Sequence, residues 1–314
     1  MRIGIVTPAP PGSLKGNRVT ALRWARRLRE LRQRVEIVED YSGEDYQLLI
    51  GLHLRHSAAA ALRFHRRHPQ RPLLMALTGT DIYGWRLVAG AGGVLRAASA
   101  LIALQPLARR RLPAWARAKT RVIYQAAPAY RRLPPRRNSF DICVLSHLRA
   151  IKDPLLAAQA ARSLPAGSRV RILHAGAALE PGLEAAAQAE MRRNPRYRWL
   201  GPLPPPRARV LLRRSRALVV SSLAEGGANV VSEALRAGIP VLATRIAGNL
   251  GLLGGDYAGY FPARHLRQLG RLLARVESEP QFLRRLQRQV RRLAPQFSPE
   301  RERQAWQRLL RECS

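Results

Sequence analysis

Short apolar runs alternate with amphipathic helical segments along almost the whole 314-residue chain. Apolar runs bounded by Gly, Pro or polar residues are typical of buried strands, and strands that alternate with helices are typical of parallel sheets. In the first half the runs lie at residues 2–6, 48–52, 73–77, 100–104 and 121–124. In the second half they lie at residues 140–145, 169–173, 217–221 and 240–244. This pattern predicts an α/β protein.

A proline-rich basic stretch, Leu133-Pro-Pro-Arg-Arg-Asn138, separates the two series of runs. The length of the chain suits two domains, each able to bury its own core. We therefore predict two Rossmann-like domains, residues 1–138 and 139–296, that face each other across a cleft. In such sheets, ligands bind beyond the carboxyl ends of the strands, where the strand order reverses.

The chain is strongly basic, with 55 Lys and Arg residues against 20 acidic ones and a formal net charge of +35. Only three of the basic residues are lysines: Lys15, Lys119 and Lys152. Net charge informs non-specific binding rather than fold, so it permits anionic partners without requiring them. The two cysteines have neither CxxC nor Cys/His spacing, which predicts no disulfide framework, no zinc site and a reducing cytoplasm. The first apolar run is too short for a signal peptide.

The segment from Glu225 to Glu233 reads Glu-Gly-Gly-Ala-Asn-Val-Val-Ser-Glu and carries the most specific chemical signal. A helix beginning near Asn229 would point unpaired N–H groups at a diphosphate. Gly226 and Gly227 would let the backbone approach that ligand. Glu233, one turn further, could accept hydrogen bonds from the two hydroxyls of a ribose, and Glu225 could serve a sugar. This arrangement suits a nucleotide-sugar site.

A second motif, Ser146-His-Leu-Arg-Ala-Ile-Lys-Asp-Pro154, follows a predicted strand. Arg149 and Lys152 are three residues apart, close enough to hold one diphosphate. The alternative is that Lys152 and Asp153 form an ordinary surface pair near a helix start.

The first half carries weaker signals at its strand ends. The loop of residues 7–17 ends in Gly16-Asn17 at a helix start, with Lys15 and Arg18 beside it, and could receive an anion. Further polar residues follow other predicted strands: His53, Arg55, Thr78, Thr80, Asp81 and Gln105. A lone His is more often structural than catalytic, and an Asp after Gly-Thr is often a helix cap. Their shared position nevertheless indicates an acceptor site.

The chain resembles the retaining-type GT-B glycosyltransferases of family 4. Glu225 to Glu233 matches their E-x7-E pattern, and Ser146 to Lys152 corresponds to their Gly-Arg-Leu-x-x-x-Lys segment. Ser146 and His147 stand where that segment has Gly and Arg, which leaves open whether Arg149 or His147 contacts the diphosphate. The resemblance implies a GT-B fold, a UDP-sugar donor and a final helix, residues 297–314, that crosses back to the first domain.

Longer strings narrow the resemblance to the selenosugar synthases of selenoneine biosynthesis. They lie at residues 7–10, 15–24, 77–83, 147–154, 225–229 and 248–254. This resemblance extends over nearly the whole chain. It implies transfer of N-acetylglucosamine, or a related sugar, from a UDP-sugar to selenophosphate with formation of a carbon–selenium bond.

The motifs and the resemblance together assign candidate roles. For the donor half, we expect catalytic roles for Arg149, Lys152 and Glu225 and donor contacts from His147, Gly226, Gly227, Ala228, Asn229, Val230 and Glu233. For the first half, we expect a catalytic role for His53 and acceptor contacts from Lys15, Gly16, Asn17, Arg18, Arg55, Thr78, Thr80, Asp81 and Gln105. His53 or Asp81 could also position water for the later loss of phosphate from selenium.

The six aspartates form no Asp-x-Asp pair, so we expect neither metal nor cofactor and assign stabilisation of the leaving UDP to cations and helix N-termini. Selenophosphate is already an anionic nucleophile, and it needs positive groups more than a general base.

Two other classes of protein stay open. A conventional glycosyltransferase with a saccharide or lipid-linked acceptor would keep the same donor motifs, and its arginine-rich faces could lie on anionic lipid. A nucleic-acid binder is suggested only by charge, because aromatic residues make up 6% of the chain and do not cluster with basic ones. We expect no specific nucleic-acid partner and no stable membrane insertion.

Overall fold

The computed structural model describes residues 1–13, 16–85 and 88–313, with the backbone alone at residue 80. The chain divides into two compact units. The first unit comprises Met1–Ala126 together with Pro299–Ser314, and the second comprises Ala127–Ser298.

The described part of the first unit is built on a six-stranded parallel sheet. Its strands are β1 (Arg2–Val6), β2 (Arg34–Val38), β3 (Leu48–Leu52), β4 (Leu73–Leu77), β5 (Ala100–Ala103) and β6 (Thr120–Val122). Their order is β2-β1-β3-β4-β5-β6, so the order reverses between β1 and β3. In register, Ile5 of β1 lies opposite Ile37 on one side and Ile50 on the other.

Helices cover the sheet of the first unit. They are α1 (Gly16–Glu30), α2 (Leu54–Arg67), α3 (Ala91–Ala97), α4 (Ala114–Ala118) and, from the end of the chain, α12 (Pro299–Glu312). Helix α12 packs on α1 through an edge-to-face pair of buried indoles, Trp24 and Trp306, whose ring centroids are 4.9 Å apart. Buried Glu302 accepts hydrogen bonds from Arg23 Nε at 2.9 Å and from the Trp24 indole at 3.2 Å. The C-terminal helix is therefore part of the first unit's core.

The second unit carries another six-stranded parallel sheet. Its strands are β7 (Phe140–Leu145), β8 (Val170–Ala175), β9 (Tyr197–Trp199), β10 (Ala217–Val220), β11 (Val241–Thr244) and β12 (Tyr260–Phe261). Their order is β12-β11-β10-β7-β8-β9, and the reversal lies between β7 and β10. The helices of this unit are α5 (Leu156–Ala161), α6 (Leu183–Arg193), α7 (Pro205–Arg214), α8 (Asn229–Arg236), α9 (Ala247–Leu253), α10 (Leu266–Ser278) and α11 (Pro280–Leu293).

The prediction of two Rossmann-like α/β domains is confirmed. All nine predicted apolar runs lie on strands of these sheets, with ends that differ by at most two residues. The sequence pattern missed β2, β9 and β12. Each of these strands lies at a sheet edge, where one side stays exposed and the sequence no longer forms a continuous apolar run.

The apolar region that begins near residue 88 folds into helix α3, which buries Ala91, Val94 and Leu95, and into buried strand β5. Across the described ranges, no helix combines the length and the apolar character needed to cross a membrane.

Candidate functional site

The two motifs of the second unit lie at the reversal of its strand order. The loop that follows β7 contains Ser146 to Lys152, and the loop that follows β10 leads through Glu225 to α8. Because β7 and β10 are hydrogen-bonded neighbours, both loops leave the same edge of the sheet. Ser221 Oγ joins them by donating to the carbonyl oxygens of Lys152 and Asp153, each at 2.9 Å.

Lys152 and Glu225 form an ion pair at this edge. Lys152 Nζ donates to Glu225 Oε1 at 2.5 Å, and Ser222 Oγ donates to the same oxygen at 2.6 Å. The two charged side chains keep 25% and 11% of their surface exposed. An ammonium group has three N–H donors, so Lys152 can hold Glu225 and an anionic ligand at the same time.

The start of α9 fixes the backbone of Glu225. A Cβ atom added to Gly248 would lie 2.3 Å from the Glu225 carbonyl oxygen, so a side chain at this position would displace the loop. Buried Thr244 donates from Oγ1 to the Ser222 carbonyl at 2.6 Å, and buried Asn249 donates from Nδ2 to the Thr244 carbonyl at 2.9 Å. These contacts hold the carboxylate in place.

Helix α8 begins at Asn229, as the sequence predicts. Residue 228 before it makes no side-chain capping bond, and in the first turn the Val231 amide donates to the Ala228 carbonyl at 3.0 Å. Glu233 lies one turn further and is half-buried. The helix ends where Gly238 takes a φ of 67°, and the Ile239 amide bonds back to the Ala234 carbonyl.

The remaining donor candidates lie in the same segment. Gly226, Gly227 and Ala228 form the irregular link between Glu225 and α8, and Val230 is half-buried in the first turn of the helix.

His147 and Arg149 occupy different surroundings in the β7 loop. The Ala177 amide donates to His147 Nδ1 at 3.1 Å, which places the proton of the neutral ring on Nε2. Half-exposed Arg149 instead pairs through Nε with Glu180 at 3.4 Å. The same glutamate accepts the Ala150 amide at 2.6 Å. Arg149 therefore contacts Glu180, and His147 contacts the Ala177 amide.

A buried histidine that the motif analysis did not single out supports this loop. His174 Nε2 lies 2.9 Å from the Ser146 carbonyl and Nδ1 lies 3.1 Å from the Tyr197 hydroxyl. Burial lowers the pKa of His174 from the ordinary 6.5 to about 4. The neutral ring thus donates to Ser146 and accepts from Tyr197. A Cβ atom at Gly176 would lie 1.9 Å from the Ser146 carbonyl oxygen, so the Gly176 backbone packs directly against the loop and restricts it.

In the first unit, the structure brings four candidates together at the carboxyl edge of the sheet. Thr78 Oγ1 donates to Asn17 Oδ1 at 2.8 Å, which ties the end of β4 to the start of α1. His53 Nδ1 lies 4.0 Å from Asp81 Oδ2. The same aspartate accepts the amides of Leu54 at 2.7 Å and Gly79 at 2.8 Å.

His53 is held in an unusual environment. Its backbone adopts a φ of 73°, which is uncommon for a residue with a side chain. Burial lowers the pKa of His53 below 6.5, and the Asp81 carboxylate acts in the opposite direction. Among the described residues, His53 Nδ1 is buried without a hydrogen-bond partner. A ligand with a hydrogen-bonding group would satisfy it.

The other candidates of the first unit surround this cluster less closely. Gly16 opens α1 and Arg18 lies in its first turn, while Arg55 is exposed at the start of α2. Buried Gln105 uses Oε1 to cap a short 3₁₀ helix, accepting the Leu107 amide at 2.7 Å. Its Nε2 atom has no partner among the described residues. Lys15 lies outside the described residues, as does the side chain of Thr80.

Sequence reasoning missed several buried polar residues at the same sheet edges. Thr7 follows β1, and Ser222 follows β10. Both are polar residues directly after an apolar run, which is the signal that singled out His53 and Thr78. In the described part of the chain, no group of three or more His, Cys, Asp or Glu side chains could hold a metal ion.

Comparison with known proteins gives one family. The family model described as glycosyl transferases group 1 matches residues 130–293, more than half of the chain. No curated protein sequence matches the chain.

Several solved structures share the fold along 99% of this chain. A complex of Anabaena HepE with UDP is 16% identical over 99% of its own length, with a TM-score of 0.77. Sucrose-phosphate synthase from Thermosynechococcus elongatus is 15% identical over 98% of its length, with a TM-score of 0.79. A glycosyltransferase from Rickettsia africae is 13% identical over 98% of its length, also with a TM-score of 0.79. HepE is also solved with UDP-glucose.

Proposed function

The chain belongs to the group 1 glycosyltransferases, and from that premise we propose that it transfers N-acetylglucosamine from its UDP-sugar to selenophosphate. The observation that carries the donor half of this proposal is the Lys152–Glu225 pair at the strand-order reversal of the second sheet. The acceptor half rests on the sequence resemblance and on the polar cluster of the first unit.

In the donor site, the diphosphate of the UDP-sugar lies in front of α8 and beside Lys152. The N–H groups that open α8 and the ammonium of Lys152 take up the negative charge that grows on UDP as the sugar leaves. The Nε2–H of His147 donates to a phosphate oxygen, and Arg149, which contacts Glu180 through Nε, directs its terminal N–H groups to the diphosphate. Glu233 accepts hydrogen bonds from the ribose, and Glu225 faces the sugar. The bound UDP of HepE is consistent with such a donor.

In the acceptor step, a selenium lone pair of selenophosphate attacks the anomeric carbon of the sugar. The bond from that carbon to the phosphate oxygen of UDP breaks, and its electron pair leaves with UDP. Water then cleaves the selenium–phosphorus bond, which yields the selenol of the sugar and inorganic phosphate. The cations in and beside the first loop, Lys15, Arg18 and Arg55, hold the anionic acceptor, while His53 and Asp81 position the water.

A saccharide hydroxyl is the second candidate acceptor, and the His53–Asp81 pair favours it. A hydroxyl is a poor nucleophile until a base takes its proton, and a neutral imidazole beside a carboxylate is suited to that task. Burial lowers the pKa of His53 and so favours the neutral imidazole that a base requires. Selenophosphate has no such requirement, so the two acceptors predict different consequences of replacing His53.

The test is mass spectrometry of the purified protein incubated with UDP-N-acetylglucosamine and one acceptor at a time. Selenophosphate, inorganic phosphate and a saccharide are compared. We expect a selenium isotope pattern on an N-acetylhexosamine mass and release of UDP only with selenophosphate. Glycoside formed only with the saccharide, and abolished in His53→Ala, would establish the second candidate. UDP-sugar binding without product from any acceptor would support the donor site and refute both candidate acceptors.

A further inference from the structure

The second unit contains a pocket that the proposed transfer reaction does not use. It has a volume of about 620 Å³ and is lined by Arg131, Arg132, Leu133, Pro134, Pro135, Arg213 and Arg216. Four of these seven side chains are guanidinium groups, and no described lining residue is acidic.

The pocket lies at the opposite edge of the sheet from the donor motifs. Arg216 immediately precedes β10, and its amide donates to the Asp141 carbonyl near the start of β7 at 2.7 Å. The Lys152 and Glu225 loops follow the ends of the same two strands. Because strands of a parallel sheet share one direction, these strand starts and ends lie at different edges. The pocket is therefore a second site, separate from the sugar-nucleotide motifs.

Backbone hydrogen bonds fix the wall of the pocket. The Leu133 amide donates to the Arg213 carbonyl at 3.0 Å, and Arg213 Nε donates to the Arg131 carbonyl at 2.7 Å. The proline-rich segment, which the sequence suggested as a simple linker, is thus attached to the end of α7. The bond to the Arg131 carbonyl holds the Arg213 side chain, while Arg132 and Arg216 are half-buried and Arg131 is exposed.

The positive charge of the pocket is not balanced by its neighbours. Asp141, at the start of the sheet, accepts two bonds from Arg171, at 2.9 and 2.8 Å, and also lies 3.9 Å from Arg136. Among the described residues, buried Arg216 Nε has no hydrogen-bond partner, and the guanidinium lies 5.5 Å from the centroid of the Phe140 ring. Burial lowers the pKa of Arg132, and repulsion from Arg216 and Arg291 lowers it further. Like charges held together in this way favour a bound anion.

We propose that this pocket binds a small molecule carrying two or more phosphate groups. Guanidinium forks match phosphate oxygens two at a time, and four of them exceed what one phosphate needs. The volume lies in the range of sites for small organic ligands. Leu133, Pro134 and Pro135 add an apolar wall against which the uncharged part of such a molecule can pack.

The experiment is calorimetric titration of the full chain with inorganic triphosphate. We expect one saturable site per chain and at least a tenfold weaker affinity in both Arg132→Gln and Arg216→Gln. The control is Arg284→Gln with Arg288→Gln on the exposed face of α11, which removes two positive charges from residues that do not line the pocket. Binding should persist in the control and in Lys152→Ala, in which the donor site is disabled.

A titration with ATP identifies the source of the phosphates. If ATP binds more tightly than inorganic triphosphate, the ligand of the pocket is a nucleotide. If the two bind equally, the ligand is a free oligophosphate. The proposal is overturned if the parent shows no saturable site, or if the α11 control weakens binding as much as the pocket variants.

Melting temperatures separate binding from a structural role. Because Arg132 is repelled by its neighbours, Arg132→Gln should melt no lower than the parent without triphosphate and should gain less when triphosphate is added. If Arg132→Gln melts at a lower temperature than the parent but triphosphate raises both melting temperatures equally, Arg132 has a structural role and the site is refuted. UDP carries two phosphates and can enter the pocket as well, so donor-site affinity is measured as the part of UDP binding that Lys152→Ala weakens. That part should be unchanged in both pocket variants, so failure of the pocket leaves the proposed transfer untouched.

Discussion

At the scale of single residues, the donor site depends on charges that are only partly buried. Lys152 and Glu225 lie 73 positions apart in the sequence and meet at 2.5 Å. Such a pair orients the ammonium without removing it from water, so its charge is available to a ligand. The contribution of Lys152 should therefore be greater to catalysis than to folding.

Replacing Lys152 with Ala should lower kcat on the order of 10²- to 10³-fold, as loss of a leaving-group stabiliser does in other enzymes. Steady-state rates of UDP release measure this effect, and thermal melting monitors folding. Lys152→Arg should recover part of the rate because it restores the charge. A Lys152→Ala protein with normal kcat and a lowered melting temperature would show that Lys152 is structural.

Replacing Glu233 with Ala should weaken UDP binding about tenfold or more, because two hydrogen bonds of about 1 kcal/mol each are lost. Calorimetry with UDP measures the loss. The matched control is 2′,3′-dideoxy-UDP, which lacks the hydroxyl groups and should bind the parent and the variant equally. An equal loss with both ligands would remove Glu233 from ribose recognition.

The buried ring of His174 predicts a pH dependence of stability. Its folded pKa of about 4 lies below the ordinary 6.5, so between these values the unfolded chain binds a proton that the folded chain does not. Stability contributed by the neutral ring is complete above pH 6.5 and is lost as the pH falls towards 4. Between pH 6.5 and pH 4, the free energy of unfolding of the parent should fall by up to about 3 kcal/mol more than that of His174→Gln. Urea unfolding measures this difference. Parallel losses in the two proteins would contradict the assignment.

At the scale of elements, the Glu225 carboxylate is positioned by helix packing. Gly248 in α9 lies against the Glu225 backbone so closely that a Cβ atom would approach its carbonyl oxygen to 2.3 Å. In the sequence, the segment that contains Gly248 is distinctive only by its resemblance to a family, because a glycine in a helix does not by itself predict a particular role. Its packing role depends on a residue 23 positions earlier and cannot be inferred from local pattern.

Replacing Gly248 with Ala should displace Glu225 and lower kcat on the order of a hundredfold, the cost of a misplacement of about 1 Å at a reacting centre. Gly255→Ala is the matched control, because a Cβ atom there meets nothing within 4 Å. Rates and melting temperatures of both variants are compared. Similar kcat values for both would show that the loop accommodates the added methyl group.

Edge strands mark where sequence analysis of the elements fails. Central strands such as β3 and β4 are buried on both faces, so each appears as an unbroken apolar run. Edge strand β2 alternates Arg34, Val35, Glu36 and Ile37, and β12 has only two residues. Neither pattern differs from an ordinary loop until the neighbouring strand pairs with it.

At the scale of the whole molecule, the candidate residues are divided between the two units. The donor residues lie on the second sheet and the acceptor residues on the first. In the second unit the candidates follow β7 and β10, the two strands at the reversal of strand order. In the first unit they follow β1 and β3, which flank the reversal, and also β4 and β5. In the proposed mechanism, Lys152 and a helix N-terminus supply the positive charge that Asp-x-Asp transferases obtain from a divalent ion.

Turnover should therefore be unchanged, within about twofold, when a chelator is added, because the chain's own cations stabilise the leaving group. UDP release is measured with EDTA, with added Mg²⁺ and with neither. Loss of activity in EDTA that Mg²⁺ restores would show that a metal ion is required and would refute this view of the leaving group.

The sequence by itself determined the two parallel-sheet domains and the loops that carry polar residues at strand ends, because apolar periodicity and strand-end position are local properties. It also located the start of α8 near Asn229, directly after the Gly226-Gly227 pair. Only the tertiary structure decided which loops meet. The Lys152–Glu225 pair, the His174 support of Ser146 and the arginine pocket all join residues whose approach depends on strand order. Strand order results from packing of the whole unit, and no local pattern encodes it.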